Sequence, residues 1–196
     1  GFQNRWNVNN ETSADDVAFI SEIFDALSED TVFDLRYSFG VGVSNGAGIV
    51  NRIGKETNLL LGIAPLISQQ TTYLGTIVPS RTLSVFQVNG DEDELVPIEG
   101  GNGVAGTVFM SAKDSAENWA SFFECDLVPV SDEFIWGTYP VFKFSFEGCR
   151  DDVFVQYFIV KGAEHTIDFG SDFNMHQEVW SFLSRGLIGK QNKNDH

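Results

Sequence analysis

At 196 residues the chain is long enough for one domain with a sizeable core and too short for two. A hydrophobic content of 42%, with eighteen Phe, excludes a disordered chain, and the apolar runs fall short of the roughly eighteen residues that span a bilayer. The formal net charge of −16 and the lack of a basic stripe argue against nucleic-acid and membrane partners, so we interpret the charge as an adaptation for solubility or salt.

The first half of the chain predicts helices and strands in alternation. Apolar residues recur at three- and four-residue spacing from Val17 to Leu27, which is typical of a helix, and Ser13 is a suitable N-cap. Strands are indicated by alternating apolar and polar residues, or by short apolar runs typical of a strand covered on both faces. In chain order the predicted elements are a helix after Ser13, a strand at 35–41, a helix after Gly46, and strands at 59–66 and 83–88.

The second half continues the alternation. In chain order it predicts a helix at residues 112–124 with Ser111 as N-cap, a short strand at 142–146, a strand at 152–160 and an amphipathic helix at 174–184. The polar tail from Gly189 is expected to fray. Strands that alternate with helices predict an α/β fold with a mostly parallel sheet and flanking helices, formed by residues 1–196 as one domain.

Residues 42–46, Gly-Val-Ser-Asn-Gly, match the pattern G-x-S-x-G. A nucleophilic serine at a tight strand-to-helix turn needs small neighbours, because the backbone is strained there. The following helix would point its N-terminus at Ser44, and the backbone N–H of Asn45 is the expected first donor of an oxyanion hole. A glycine-rich turn with a capping serine is the alternative. The strand predicted before Ser44 and the helix predicted after it favour the nucleophile.

In such an arrangement an acid and then a histidine follow the nucleophile, each beyond the carboxyl end of a strand. His165 follows a predicted strand, whereas His176 falls in the last helix and His196 in the tail. His165 is therefore the candidate base, and a solvated or capping loop histidine is the alternative. Four adjacent acidic residues follow another predicted strand, and spacing does not choose among them: Asp91, Glu92, Asp93 and Glu94.

Cys125 and Cys149 are the two cysteines of the chain. Two cysteines are usually unpaired and buried in a cytosolic enzyme and bridged in an exported one, so their spacing alone does not decide. The sequence carries neither a metal-ligand cluster nor a nucleotide-binding loop, so no metal and no cofactor are predicted.

Further motifs occur in a definite order between Trp6 and Leu183. They are Trp6-Asn7 with residues 15–20, the Gly-Val-Ser-Asn-Gly turn, residues 89–97, Glu99-Gly100-Gly101, Trp119 with Cys125, Cys149 ahead of the last strand, and residues 162–166. Together they resemble the polyhydroxybutyrate depolymerases and related feruloyl and acetylxylan esterases. The turn resembles the family's G-x-S-N-G, residues 89–97 its H-G-x-x-D-x-x-V-P, and residues 162–166 its G-x-x-H-T.

The resemblance implies an α/β-hydrolase fold and a Ser-His-Asp triad in a serine carboxylic-ester hydrolase. It places the acid at Asp93 and the base at His165, and it pairs Cys125 with Cys149 in a disulfide. The substrates it implies are feruloyl, acetyl or short polyhydroxyalkanoate esters, as small molecules or polymers. It also implies a secreted or periplasmic protein.

The chain departs from the family at several points. Asn89 stands where the family has His, and Ile167-Asp168 replace an aromatic–proline pair, which alters the rim of the pocket. The family carries several strands ahead of this region, including the loop that supplies the second oxyanion donor. We therefore expect a partial domain without those N-terminal strands. The exposed edge of the strand before Ser44 is then expected to be covered by further polypeptide or by a second copy in a homo-oligomer.

Two other functions stay open on the sequence. One is a different enzyme on the same fold, such as a peptidase or a thioesterase. The other is a non-catalytic or weakly active binding module that a partner chain completes. Three aromatic residues could line a sugar or polymer groove, although core packing is the expected role of the first: Trp119, Trp136 and Tyr139.

Overall fold

A computed structural model describes residues 4–185 and contains a mixed six-stranded sheet. Its strands are β1 Phe39–Val43, β2 Gly62–Leu66, β3 Ser84–Gly90, β6 Val130–Trp136, β7 Tyr139–Phe146 and β8 Val155–Val160. A separate two-stranded ribbon holds β4 Gly101–Asn102 and β5 Val108–Phe109. The strand order in the large sheet is β1-β2-β3-β8-β7-β6. The first four strands of the order are parallel, whereas β7 and β6 continue the sheet as an antiparallel hairpin.

Helices cover both faces of this sheet. They are α1 Asp16–Ser28, α2 Asn45–Glu56, α3 Thr72–Gly75, α4 Ala112–Phe122 and α5 Met175–Leu183. Helices α2 and α4 contribute Ile53 and Trp119 to a core on one face, and α5 contributes Phe182 to a core on the other. Successive side chains of β3 point to opposite faces of the sheet, so Val85 lies in the first core and Phe86 in the second. The predicted α/β class is confirmed.

Two predicted boundaries in the first half are wrong. Residues 35–41 do not form one strand: Leu35–Tyr37 is a 3₁₀ turn, and the strand runs from Phe39 to Val43. Asp34 stabilises that turn, since its side chain accepts the N–H of Arg36. The N-cap of α1 is Asp15 rather than Ser13, because the Asp15 carboxylate accepts the N–H of Ala18 at 2.9 Å.

Three predicted strands differ in extent from those observed. The strand predicted at 59–66 begins only at Gly62, and the one predicted at 152–160 begins only at Val155, after a 3₁₀ turn. The strand predicted at 142–146 is longer, because β7 pairs along its length with β6. The prediction missed β6, whose side chains are mostly exposed and polar at its start. The helices predicted at 112–124 and 174–184 are confirmed as α4 and α5, with Ser111 and Asn174 as their N-caps.

Within residues 4–185, β1 lies at one edge of the sheet, as the sequence predicts. The carbonyl of Ser38 and the N–H of Ser44 both bond to the β2 side. Backbone groups alternate in direction along a strand, so the groups of Phe39, Val41 and Val43 face away from β2. Val41 and Val43 are 49% and 41% exposed. The edge next to the candidate nucleophile is therefore both apolar and open to pairing.

The expected disulfide between Cys125 and Cys149 is confirmed. It ties the end of α4 to the turn that precedes β8. Trp119 and Trp136 are buried in the two cores, so neither lines a groove. Among residues 4–185 no helix is long and apolar enough to cross a membrane. The tail from Gly189, which includes His196, lies outside the described residues.

Candidate active site

Ser44 lies at the tight turn between β1 and α2. Its φ of +56° and ψ of −118° put a non-glycine residue in a strained backbone region, the kind of outlier that clusters at active sites. Gly42 permits the turn, since a Cβ there would come within 2.0 Å of the Gly46 carbonyl oxygen. A Cβ on Gly46 would meet nothing within 4 Å, so the steric need for a small neighbour applies to Gly42 alone.

A continuous chain of hydrogen bonds joins Ser44, His165 and Asp93. Ser44 Oγ lies 2.7 Å from His165 Nε2, and His165 Nδ1 lies 2.6 Å from Asp93 Oδ2. The three residues follow β1, β8 and β3 respectively, at the carboxyl ends of parallel strands. The structure thus brings together the three side chains that the sequence singles out. His176 lies apart from them, exposed on α5.

Among the four adjacent acids, only Asp93 is oriented towards His165. Its side chain is 1% exposed, and Oδ1 accepts the N–H groups of Leu95 and Val96, each at 2.9 Å. These two bonds orient the carboxylate and leave Oδ2 for the imidazole. Glu92 and Glu94 are exposed. The geometry therefore identifies Asp93 as the acid that contacts His165, which residue spacing alone does not decide.

Asp91 links the loop that carries Asp93 to the loop that carries His165. Its Oδ1 accepts the N–H of Gly162 at 2.6 Å, and its carboxylate forms an ion pair with Lys161. The backbone adds a parallel connection, because the N–H of Glu92 donates to the carbonyl of Ala163 at 3.0 Å. From the sequence Asp91 was only one of four candidate acids, and this linking role was not predicted; Lys161 on the facing loop was the available signal.

Asn45 is the first residue of α2, where backbone N–H groups have no partner within the helix. Its side chain turns away to Trp6: Oδ1 accepts the Trp6 N–H at 2.7 Å, and Nδ2 donates to the Trp6 carbonyl at 3.3 Å. This contact spans 39 residues and gave no signal in the sequence. The side chain of Asn45 thus fixes the early segment beside Ser44, while its main chain stays at the helix N-terminus.

Buried side-chain amides hold the segments that follow Asp93 and precede α4. Gln69 Nε2 donates to the carbonyls of Pro97 and Met110, and Asn89 Nδ2 donates to Gln69 Oε1. Gln87 extends the network to Asn89 and to the hydroxyl of Ser115. Asn89, which stands where the resembled family has His, is therefore part of a polar network that holds the loop after Asp93. The network was not predicted from the sequence, because its members are far apart along the chain.

A cleft of about 250 Å³ opens beside Ser44. One wall is formed by residues 5–9 with Glu11 and Thr12, and the other by Val96 and residues near the β4–β5 ribbon, including Val104 and Phe109. Ser68 also lines it, after Ile67, whose φ of +52° is strained for a β-branched residue. The cleft is thus apolar on one side and largely polar on the other.

Comparison with protein-family models gave no match, and comparison with curated protein sequences gave no match either. Within residues 4–185 no group of three or more His, Cys, Asp or Glu side chains is placed to hold a metal ion. The site described above consists of a hydroxyl, an imidazole and a carboxylate joined by two hydrogen bonds.

Proposed function

We propose that this chain is a serine carboxylic-ester hydrolase of the α/β-hydrolase type, similar to the polyhydroxybutyrate depolymerase and feruloyl esterase family. The observation that carries the proposal is the hydrogen-bonded chain Ser44–His165–Asp93, which starts at a strained serine on a strand-to-helix turn. The order Ser, Asp, His along the chain is the order of α/β-hydrolases.

The proposed reaction is a two-step acyl transfer. Ser44 Oγ attacks the ester carbonyl while His165 Nε2 takes its proton, and the same nitrogen then protonates the departing alcohol. Water, deprotonated by His165, attacks the acyl-enzyme, and the carboxylate product leaves with Ser44 restored. Asp93 orients the imidazole and stabilises its positive form.

The N-terminus of α2 supports the same proposal. The backbone N–H of Asn45 is the proposed first donor to the oxygen that becomes negative, and the helix dipole favours charge there. The resemblance assigns the second donor to a loop ahead of this region. One donor of this kind contributes on the order of a hundred- to a thousandfold in rate.

Labelling with a fluorophosphonate tests the proposal directly, because an activated serine oxygen attacks the phosphorus of the reagent, displaces fluoride and becomes phosphonylated. We expect wild type to label and Ser44→Ala to abolish the label. Ser68→Ala is the matched control, since Ser68 lines the same cleft and its loss is expected to leave the label in place. A wild-type chain that does not label would overturn the catalytic proposal and favour the binding-module alternative.

The substrate class is a narrower proposal. Parallel assays with p-nitrophenyl esters, feruloyl esters, acetylated xylan and short polyhydroxybutyrate separate the esters from one another. A peptide and a thioester substrate test the peptidase and thioesterase alternatives. We also propose an exported protein, which the disulfide supports because such bonds persist in oxidising compartments.

A further inference from the structure

The pattern G-x-S-x-G leaves the residue after the serine open, and in this chain that residue is Asn45. Its side chain makes a reciprocal pair of hydrogen bonds with the backbone of Trp6: Oδ1 accepts the N–H at 2.7 Å, and Nδ2 donates to the carbonyl at 3.3 Å. We call this pair of bonds the Asn45–Trp6 clamp. Because both ends of one planar amide are engaged, the clamp restricts the side chain to a single orientation.

The strained backbone of Ser44 depends on contacts of this kind. A non-glycine residue at a φ of +56° costs on the order of 1–3 kcal/mol and persists only where its surroundings determine it. The Ser44 N–H donates to the Leu66 carbonyl at 3.0 Å, and the Ser44 carbonyl accepts the N–H groups of Ala47 and Gly48 at 2.9 and 3.2 Å. The clamp adds two bonds at the very next residue, on the far side of the peptide that carries the Asn45 N–H.

The segment that carries Trp6 is itself held on α2, so the clamp has a fixed partner. The Arg52 guanidinium donates to the carbonyl of Asn7, which is buried. Val8 packs on Gly48, because a Cβ at Gly48 would come within 2.6 Å of Val8 Cγ2. Trp6 therefore precedes two residues that are anchored on the same helix that begins at Asn45.

A neutral side chain suits this position better than a charged one. A carboxylate is favoured at a helix N-terminus and could accept the Trp6 N–H, but it has no proton to donate to the Trp6 carbonyl. It would also place a negative charge beside the N–H that, in the proposed reaction, stabilises a negative oxygen. The amide of Asn45 makes both bonds and carries no charge.

We infer that the side chain of Asn45 is a positioning residue, which through Trp6 holds the Ser44–Asn45 peptide so that its N–H meets the oxygen that becomes negative. This inference rests on the proposed function. The bond to that oxygen strengthens in the transition state, so loss of the clamp lowers kcat and kcat/KM together and leaves KM unchanged. A side chain that served only to hold a wall of the cleft would act on KM instead.

Asn45→Ala tests the inference, because it removes both bonds of the clamp and keeps the main-chain N–H. We expect kcat for p-nitrophenyl acetate and the rate constant of fluorophosphonate labelling to fall about tenfold at an unchanged KM, since a misplacement of about 1 Å can cost about a hundredfold. Asn58→Ala is the matched control, because Asn58 is exposed and lies outside the cleft. Circular dichroism checks that each variant is folded.

A second pair of variants leaves Asn45 intact. Trp6→Pro removes the N–H that the amide accepts, whereas Trp6→Ala loses the same indole and keeps the N–H, so kcat is expected to be lower for Trp6→Pro. A wild-type kcat in Asn45→Ala, a change in KM alone, or equal kcat for the two Trp6 variants overturns the inference while the proposed function stands. A wild-type protein that neither labels nor hydrolyses any ester overturns the proposed function itself.

Discussion

At the scale of single residues, Lys55 is the side chain whose environment most opposes its usual charge. It is 1% exposed on α2, where its Nζ donates to Asn118 Oδ1 at 2.7 Å. The same nitrogen lies 4.1 Å from the Trp119 ring centroid and 4.4 Å from that of Phe122. Burial lowers the pKa of Lys55 to about 7. The aromatic faces and the amide oxygen favour the charged form and offset part of that effect.

Because its pKa is lowered in the folded state, Lys55 reduces the free energy of unfolding by an amount that depends on pH. Above an unfolded pKa of about 10.4 the amine is neutral in both states and this reduction vanishes; it grows as the pH falls and is complete below about 7. We expect Lys55→Met to change the free energy of unfolding more favourably at pH 6 than at pH 10, by about 4 kcal/mol, since a pKa shift of one unit is worth about 1.4 kcal/mol. Thermal unfolding across that range measures the difference.

Lys113→Met is the control for that experiment, because Lys113 is 65% exposed on α4. Its effect on the melting temperature is expected to be small and to change little with pH. A Lys55→Met variant whose gain or loss is the same at pH 6 and pH 10 would contradict the assignment of a lowered pKa.

At the scale of elements, the candidate site depends on two loops that must keep their relative position. The loop after β3 carries Asp93 and the loop after β8 carries His165, and Asp91 joins them through Gly162 and Lys161. Displacements of about 1 Å can cost about a hundredfold in rate when they misplace reacting groups. Asp91 is therefore a positioning residue, which contacts neither Ser44 nor the imidazole.

We expect Asp91→Ala to lower the rate of Ser44 labelling and kcat about tenfold with an unchanged fold, because the loops lose their shared anchor. Asp91→Asn keeps an oxygen that can accept the Gly162 N–H, so it is expected to recover most of the rate. Glu94→Ala, an exposed acid of the same loop, serves as control. Equal rates for Asp91→Ala and Glu94→Ala would show that the anchor does not matter; circular dichroism checks the fold.

At the scale of the whole molecule, a covalent bond connects the two halves of the α4–β8 region. The disulfide closes 24 residues of sequence separation that contain the hairpin β6–β7, and Cys125 is buried in the core that α2 and α4 share. Cross-linking restricts the unfolded chain more than the folded one. The bond thus stabilises the region on which His165 depends.

Cys125→Ala combined with Cys149→Ala is expected to lower the free energy of unfolding by about 3 kcal/mol, the value for a loop of about this length. At about 2–4 °C per kcal/mol, the melting temperature falls by roughly 6–12 °C. Reduction of wild type with dithiothreitol should reproduce the loss, whereas the double variant should not respond to it. A reductant-insensitive wild type would contradict the stabilising role.

The local patterns determined much of the α/β half of this protein. Apolar periodicity located α1, α4 and α5, and apolar or alternating runs located the parallel strands, although several of the predicted ends were wrong. The motif order singled out Ser44 and His165, because a strand-to-helix turn and a loop after a strand have recognisable local residues. These inferences needed no contact between distant parts of the chain.

The tertiary structure decided what depends on long-range contacts. The hairpin strand β6 has mostly exposed side chains and lacks a strand pattern, so only its pairing with β7 reveals it. In the structure, Asp93 differs from its acidic neighbours by its burial, its two backbone donors and its hydrogen bond to His165, although the family resemblance had also placed the acid there. The hydrogen bonds between Trp6 and the Asn45 side chain join residues 39 positions apart, and no local sequence pattern indicates such a contact. The sequence singled out Ser44 and His165 as candidate site residues. Only the tertiary structure shows which side chains they contact, because burial and pairing depend on the folded chain as a whole.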